Sequence, residues 1–157
     1  VKIVVFSDTH LQQVSSEFQS ICEHYCRDAD RVLHLGDWTS GAVLNFLEQY
    51  PLDGVSGNMD DMVVRMQLPA RKVLRVGAFR IGMTHGYGFY GSLKEALRRE
   101  FDGVDAILFG HTHRPLVERE GGKLFFNPGS VSSGRGSGCS FGILTVGKTL
   151  EAEIVRV

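Results

Sequence analysis

Lys2-Ile3-Val4-Val5-Phe6-Ser7-Asp8-Thr9-His10 sets a short apolar run directly against a carboxylate and an imidazole. Such a run, bounded by polar residues, predicts a buried parallel strand with its ligand-type side chains just beyond its carboxyl end. In extended backbone, residues i and i+2 point to the same side, so Asp8 and His10 can act as a pincer. The same spacing returns downstream in Gly110-His111-Thr112-His113. Oxygen and imidazole donors together suit borderline first-row divalent metals.

Working outward from that strand, the first half of the chain alternates strand and helix. Val14, Phe18, Ile21, Cys22 and Tyr25 form one apolar stripe of a helix, with Ser16…Gln19 as its capping box. Arg31–Leu35 reads as a second strand, Ala42–Tyr50 as a helix stopped by Pro51, and Leu52–Val55 as a third strand. The pattern then changes to hairpins. Lys72–Val76 and Phe79–Met83 flank Gly77-Ala78; Leu116–Glu118 and Leu124–Phe126 surround Gly121-Gly122; Phe141–Val146 and Leu150–Val155 surround Gly147-Lys148. Between them, Ser92…Glu95 caps a short helix through Phe101, and Asp105–Phe109 is another strand. A parallel half followed by a hairpin-rich half predicts an α/β fold, a four-layer αββα sandwich of two mixed β-sheets flanked by helices. We expect a single domain over residues 1–157, with the Gly/Ser-rich stretch Ser132–Ser140 as an internal loop.

Composition narrows the function classes. A chain of 157 residues with 43% hydrophobic and 22% charged residues has the make-up of a soluble globular domain. A formal net charge of −1 gives no electrostatic reason to expect nucleic acid or a membrane surface as partner. Arg71-Lys72 and Arg98-Arg99 are explained as solvated faces. Cys22, Cys26 and Cys139 form no C-x-x-C pair, and the first two, at i and i+4, read as buried free thiols suited to a reducing compartment. The opening apolar run is too short for a signal peptide, and no run approaches the ~18 residues of a membrane span. The expected location is therefore the cytoplasm. An oligomer is compatible with all of this.

The candidate ligands collect at one edge of the predicted sheets. Asp8 and His10 follow the first strand, Asp37 the second, Asn58 the third, His85 the strand Phe79–Met83, and His111 with His113 the strand Asp105–Phe109. Sites form outside the carboxyl ends of strands in open α/β sheets. Gly36, Gly57, Gly86 and Gly110 adjoin four of these groups and permit tight turns. Each piece alone has a plainer explanation: a Gly-Asp after a strand is ordinarily a turn, and a lone histidine is ordinarily a hydrogen-bonded core residue. Their joint placement on one edge is what points to metal.

These motifs resemble the calcineurin-like metallophosphoesterase superfamily. Asp8-Thr9-His10, Gly36-Asp37, Gly57-Asn58, His85-Gly86 and Gly110-His111-Thr112-His113 occur in that family's order, and the match extends to Asn127-Pro128-Gly129-Ser130. Compact size and the short Asn58-Met59-Asp60 segment look like the small bacterial and archaeal phosphodiesterase branch. That branch is also similar to the scaffold subunit of the eukaryotic retromer coat. The resemblance implies one metal held by Asp8, His10, Asp37 and His113, and another by Asp37, Asn58, His85 and His111, with Asp37 as the bridge. It implies a phosphodiesterase that uses a metal-bridging hydroxide for in-line attack on phosphorus, at ions ~3.5–4 Å apart. Asn58 would also donate to a phosphoryl oxygen as charge develops. Manganese is the first choice from the mixed N/O donors, with iron, zinc, nickel or cobalt as alternatives. The partner is a small phosphoester; the competing function is a scaffold that keeps the fold and binds partner proteins.

One position departs from the family pattern. The residue after the asparagine, usually a histidine that assists the leaving group, is Met59 here. A thioether donates no proton, so we expect Met59 to pack against the site wall and aryl esters to turn over better than alkyl esters. Asp60, Asp61 and Tyr87 are the substitutes within reach in sequence, although carboxylates in such a loop ordinarily belong to solvated turns. Arg135, in a glycine-rich loop, is the candidate for binding substrate phosphate, with Arg114 a weaker one. His34 is expected as a satisfied core or supporting histidine, His24 as exposed, and Trp38 as packed against the following helix.

Overall fold

Ile3 and Val5 face one way from β1 (Lys2–Phe6), Val4 and Phe6 the other, and all four are completely buried. Strand alternation thus commits one chain segment to two different cores. The computed structural model describes residues 1–89 and 91–157. After β1 come α1 (Ser16–Tyr25), β2 (Arg31–His34), α2 (Gly41–Leu47), β3 (Leu52–Gly54), α3 (Met62–Gln67), β4 (Arg71–Val76) and β5 (Phe79–Thr84). The second half holds α4 (Leu93–Glu100), β6 (Ala106–Leu108), β7 (Leu116–Glu120), β8 (Lys123–Asn127), β9 (Ser140–Val146) and β10 (Leu150–Arg156).

Two mixed five-stranded sheets result, ordered β10-β9-β1-β2-β3 and β4-β5-β6-β8-β7. In the first, β1, β2 and β3 run parallel while β9 returns antiparallel to β1. In the second, β5, β6 and β8 run parallel and β4 and β7 close its edges antiparallel. Ile3, Val5 and Leu33 meet Ile81, Met83, Leu108 and Phe126 between the sheets. Val4 and Phe6 instead pack with Phe18 and Cys22 of α1 and Val43, Leu44 and Leu47 of α2. On the far side Ile107 and Phe125 pack with Leu97 of α4 and Phe101. The layers are therefore helix, sheet, sheet, helix. Each fully buried Leu, Ile or Phe in these layers stabilises the fold by ~1.5–3 kcal/mol.

Local expectations are met with shifts at the ends. The α1 cap is Ser15, whose side chain accepts from Phe18 N, one residue before the expected Ser16…Gln19 box. Ser92 occupies the α4 cap position without a side-chain hydrogen bond, so the box with Glu95 is not formed. α2 ends at Leu47 instead of Tyr50. α3 was not anticipated: its Met62, Val63 and Met66 are exposed, so the six-residue helix carries no buried apolar stripe to read. Cys22 and Cys26 are buried free thiols, as expected. No helix among the described residues is long and apolar enough to cross a membrane.

Candidate metal centre

The parallel strands of both sheets end on the same edge, and the loops that leave them carry every candidate ligand. Asp8 and His10 follow β1, Asp37 follows β2, Asn58 follows β3, His85 follows β5 directly, and His111 and His113 follow β6. Backbone conformation at this edge departs from the extended geometry expected. Asp8, His10, Asp37, His111 and His113 all have positive φ, between 47° and 68°. Only a few per cent of non-glycine residues take this left-handed conformation, and they concentrate where structure around them enforces it. The pincers are therefore set by turn geometry and not by strand pleat. Two glycines make the approach sterically feasible. A Cβ at Gly57 would lie 2.3 Å from Asp37 Oδ1, and one at Gly110 would lie 2.0 Å from Ser7 Oγ.

Six of the seven residues form two groups of three: Asp8, His10 and His113, and Asp37, His85 and His111, the donor atoms of each group lying within 4.8 Å of one another. His113 Nε2 is 3.2 Å from Asp8 Oδ1 and 3.2 Å from His10 Nε2. His85 Nε2 is 3.0 Å from Asp37 Oδ2 and 3.3 Å from His111 Nδ1. The groups touch through Asp37 Oδ2, which also lies 3.5 Å from His10 Nε2. Thus His111 and His113, adjacent but one in sequence, serve different groups. Asn58 lines a groove together with His85 of the second group, its Oδ1 buried and without a hydrogen-bond partner; Asp8 Oδ1 shares that condition.

The donor orientations favour a cation. His85 Nδ1 donates to Leu35 O at 2.8 Å, and His113 Nδ1 donates to Ser133 O. Each ring is thereby held with Nε2 turned inward, where a neutral imidazole presents its lone pair. Asp8 Oδ2 accepts from Ser7 Oγ at 2.6 Å and from His111 N at 3.0 Å, which leaves Oδ1 for the centre. Facing imidazole nitrogens and two unpartnered buried oxygens are costly unless a positive charge lies between them. Burial opposes ionisation of Asp8, but His10, His113, His85 and Ser7 hold its carboxyl well below the usual range. Burial likewise opposes Asp37, and the His85 contact together with Met59 N brings it down. For His85, burial is outweighed by Asp37 and Asp8, and its pKa rises. His111 is lowered by burial, by His85 and, more weakly, by the charge of Arg135.

Several supporting residues have roles that the sequence did not reveal. Asp60, expected as a solvated turn residue or a replacement acid, is buried and committed to backbone donors. Its Oδ2 accepts from Gly57 N at 2.6 Å and Asp37 N at 3.1 Å, and its Oδ1 from Thr39 N at 2.8 Å. Burial raises its pKa against these bonds. Asp61 is the α3 cap, accepting from Val64 N, so neither carboxylate is free to act as an acid. Ser130 Oγ donates to Asp8 O, and Asn127 Nδ2 donates to Gly110 O, fixing the two pincer loops from β8. Only the Asn127-Pro128-Gly129-Ser130 motif hinted at them.

Of the remaining positions, Met59 is 60% exposed, not packed against the wall as expected. Tyr87 is 63% exposed, its ring 5.6 Å from that of His111. Arg135 is exposed on its loop with φ 45°. Arg114 and His24 are exposed too. His34 is completely buried, its ring stacked 3.8 Å from Trp38, with Nδ1 accepting from Gly36 N and Nε2 3.1 Å from Thr9 Oγ1. Trp38 is fully buried and donates to Val55 O, which removes it from any role against substrate.

Comparison with known proteins places this geometry in a family. The model of the calcineurin-like phosphoesterase superfamily domain matches residues 1–149, and the chain belongs to that superfamily. It is 34% identical to a probable metallophosphoesterase of Methanothermobacter thermautotrophicus, over 98% of this chain and 91% of that protein. It is 37% identical to the phosphodiesterase YfcE of Escherichia coli K12 over 97 residues, 57% of this chain and 50% of that one. Among solved structures, a Vps29 single mutant from Entamoeba histolytica superposes with a TM-score of 0.78 at 26% identity, covering 100% of this chain and 99% of that one.

Proposed function

We propose that this member of the calcineurin-like phosphoesterase superfamily is a metal-dependent phosphodiesterase. The observation that carries the reading is the pair of three-residue groups in contact through Asp37 Oδ2, flanked by the unpartnered Asp8 Oδ1 and Asn58 Oδ1. Asp8, His10, Asp37 and His113 would hold one divalent ion, and Asp37, Asn58, His85 and His111 the other, with manganese the first choice from the N/O donor set. When bound, such ions polarise a phosphoester and lower the pKa of water from ~15.7 to about 7.

The chain's own residues supply the rest. With Oδ1 of Asn58 given to a cation, its amide Nδ2 would be left to donate to a phosphoryl oxygen as charge develops there. Arg135, whose positive charge is felt at His111, adds attraction for the phosphate from the rim. Asp60 and Asp61 are committed to backbone N–H groups and a thioether donates no proton, so the arrangement favours a departing oxygen that is stable as an anion. Diesters of acidic alcohols are the substrates this arrangement handles best.

The test is hydrolysis of bis(p-nitrophenyl) phosphate with Mn²⁺ added, for the wild type and for Asp37→Ala and His111→Ala. Loss of turnover in both variants, with circular dichroism unchanged, supports the reading; full activity in both overturns it. Met59 and the likeness to a Vps29 favour a second reading, a scaffold that binds partner proteins. Tight metal binding without turnover of any phosphoester is the result that would favour it.

A further inference from the structure

A groove of about 880 Å³ opens beside the metal centre, and Asn58 and His85 line it together with Met59, Arg65, Leu68 and Tyr87. Its volume falls in the range of sites that enclose small organic ligands. Continuity with two of the candidate ligand residues means that a phosphoester held at the centre would have room for one of its substituents in this groove. Among the described residues, no side chain fills the groove.

Its chemistry is selective. Tyr87 is 63% exposed, its ring 5.6 Å from that of His111 at a steep interplanar angle of 68°. The Met59 side chain is 60% exposed while its backbone N–H is tied to Asp37 Oδ1 at 2.8 Å, so the thioether is held at the rim without being packed. Arg65 Nε donates to Asp60 O at 3.0 Å and one terminal nitrogen donates to Asn58 O at 2.7 Å, which fixes the plane of its guanidinium. A phenol ring, a thioether and an immobilised guanidinium have one favoured partner in common, the π-face or edge of an aromatic ring. An aliphatic chain gains only area from them.

We infer that this groove is a subsite for an aromatic substituent of the phosphoester, with Tyr87, Met59 and Arg65 as the residues that determine the preference. The inference rests on the phosphoesterase reading for the position of the phosphate. It accounts for the exposure of two large apolar side chains beside a polar centre. It also assigns position 59 a task in place of proton donation.

Calorimetric titration of the Mn²⁺-loaded protein with phenylphosphonate and cyclohexylphosphonate tests it without requiring turnover. The two probes share a head group and differ in having or lacking π-electrons. Phenylphosphonate is expected to bind about three- to tenfold more tightly, as ring contacts of this kind imply. Tyr87→Phe should keep that preference, whereas Tyr87→Leu and Met59→Ala should each reduce it; Met66→Ala, on the exposed α3 surface, should leave it unchanged. Equal affinity for the two probes, or a preference that survives both Tyr87→Leu and Met59→Ala, overturns the inference. Catalytic silence with the phenyl preference intact would instead count against the phosphoesterase reading alone.

Discussion

The backbone N–H of Met59 donates to Asp37 Oδ1 across 2.8 Å, fastening the loop that carries Asn58 to the carboxylate shared by the two groups. Because the bond is made by backbone, the side chain at position 59 is free to vary without disturbing Asp37. Met59→His, compared at saturating substrate so that any change in ring binding drops out, therefore tests what that side chain leaves undone. General-acid assistance is typically worth 10²–10⁴-fold. The variant should gain that much on alkyl phosphodiesters and little on aryl ones, whose leaving groups need no proton. Steady-state rates on a matched aryl and alkyl pair decide it; equal gains for both would show that proton donation is not what is missing.

Asp37 itself is the most exacting position. Asp37→Ala removes the oxygen that joins the two groups, and we expect about 10²–10³-fold or greater loss of turnover. Bound metal, measured by plasma emission after gel filtration, should fall below the wild-type stoichiometry. Wild-type metal content in the variant would rule out a bridging role.

Asp60 acts through others. Its carboxylate gathers N–H groups from Asp37, Thr39 and Gly57, so Asp60→Asn sets an amide donor against at least one of them. The mismatch should destabilise the protein by about 1–3 kcal/mol in urea unfolding. Metal affinity should weaken about 10–100-fold, as for other groups that orient ligands without touching the ion. An Asp60→Asn protein of wild-type metal affinity would confine the residue to a folding role.

His34 predicts a pH effect on stability. Burial presses its pKa down to about 3, with only partial relief from Asp8 and Asp37; an unfolded histidine titrates near ~6.5. Between those values the unfolded chain holds a proton that the folded chain refuses. Stability is thus lost as pH falls below the unfolded value, at up to ~1.4 kcal/mol per pH unit for this one group. Urea midpoints of chelator-treated protein between pH 4 and pH 8 should show a shallower decline for His34→Gln than for the wild type. Parallel declines would mean that His34 takes up its proton without unfolding.

Much of this architecture is legible in residue pattern because few interactions compete with it. Ile3–Phe6, flanked by polar residues, has no good alternative to a doubly buried strand, and Gly77-Ala78 between apolar runs forms the two-residue turn its chemistry favours. The candidate ligands could be brought together on paper because each follows a strand on a common edge. What escaped was set by contacts distant in sequence. α3 has exposed Met62, Val63 and Met66 where an amphipathic pattern needs polar residues. Asp60 meets Asp37 across 23 residues, and Ser130 meets Asp8 across 122. The left-handed turns at Asp8, His10, Asp37, His111 and His113 likewise leave no trace, since aspartate and histidine are chosen there for their donor atoms.

Those five turns also divide the labour of the polypeptide. A left-handed conformation costs a side-chain-bearing residue roughly 1 kcal/mol or more relative to glycine, and a domain's whole margin is only ~5–15 kcal/mol. Glycine at these positions would relax the backbone while erasing the donors. The most accessible gains in robustness for this fold therefore lie at the very residues whose donor atoms make up the two groups, so that stability and the candidate centre draw on the same five positions.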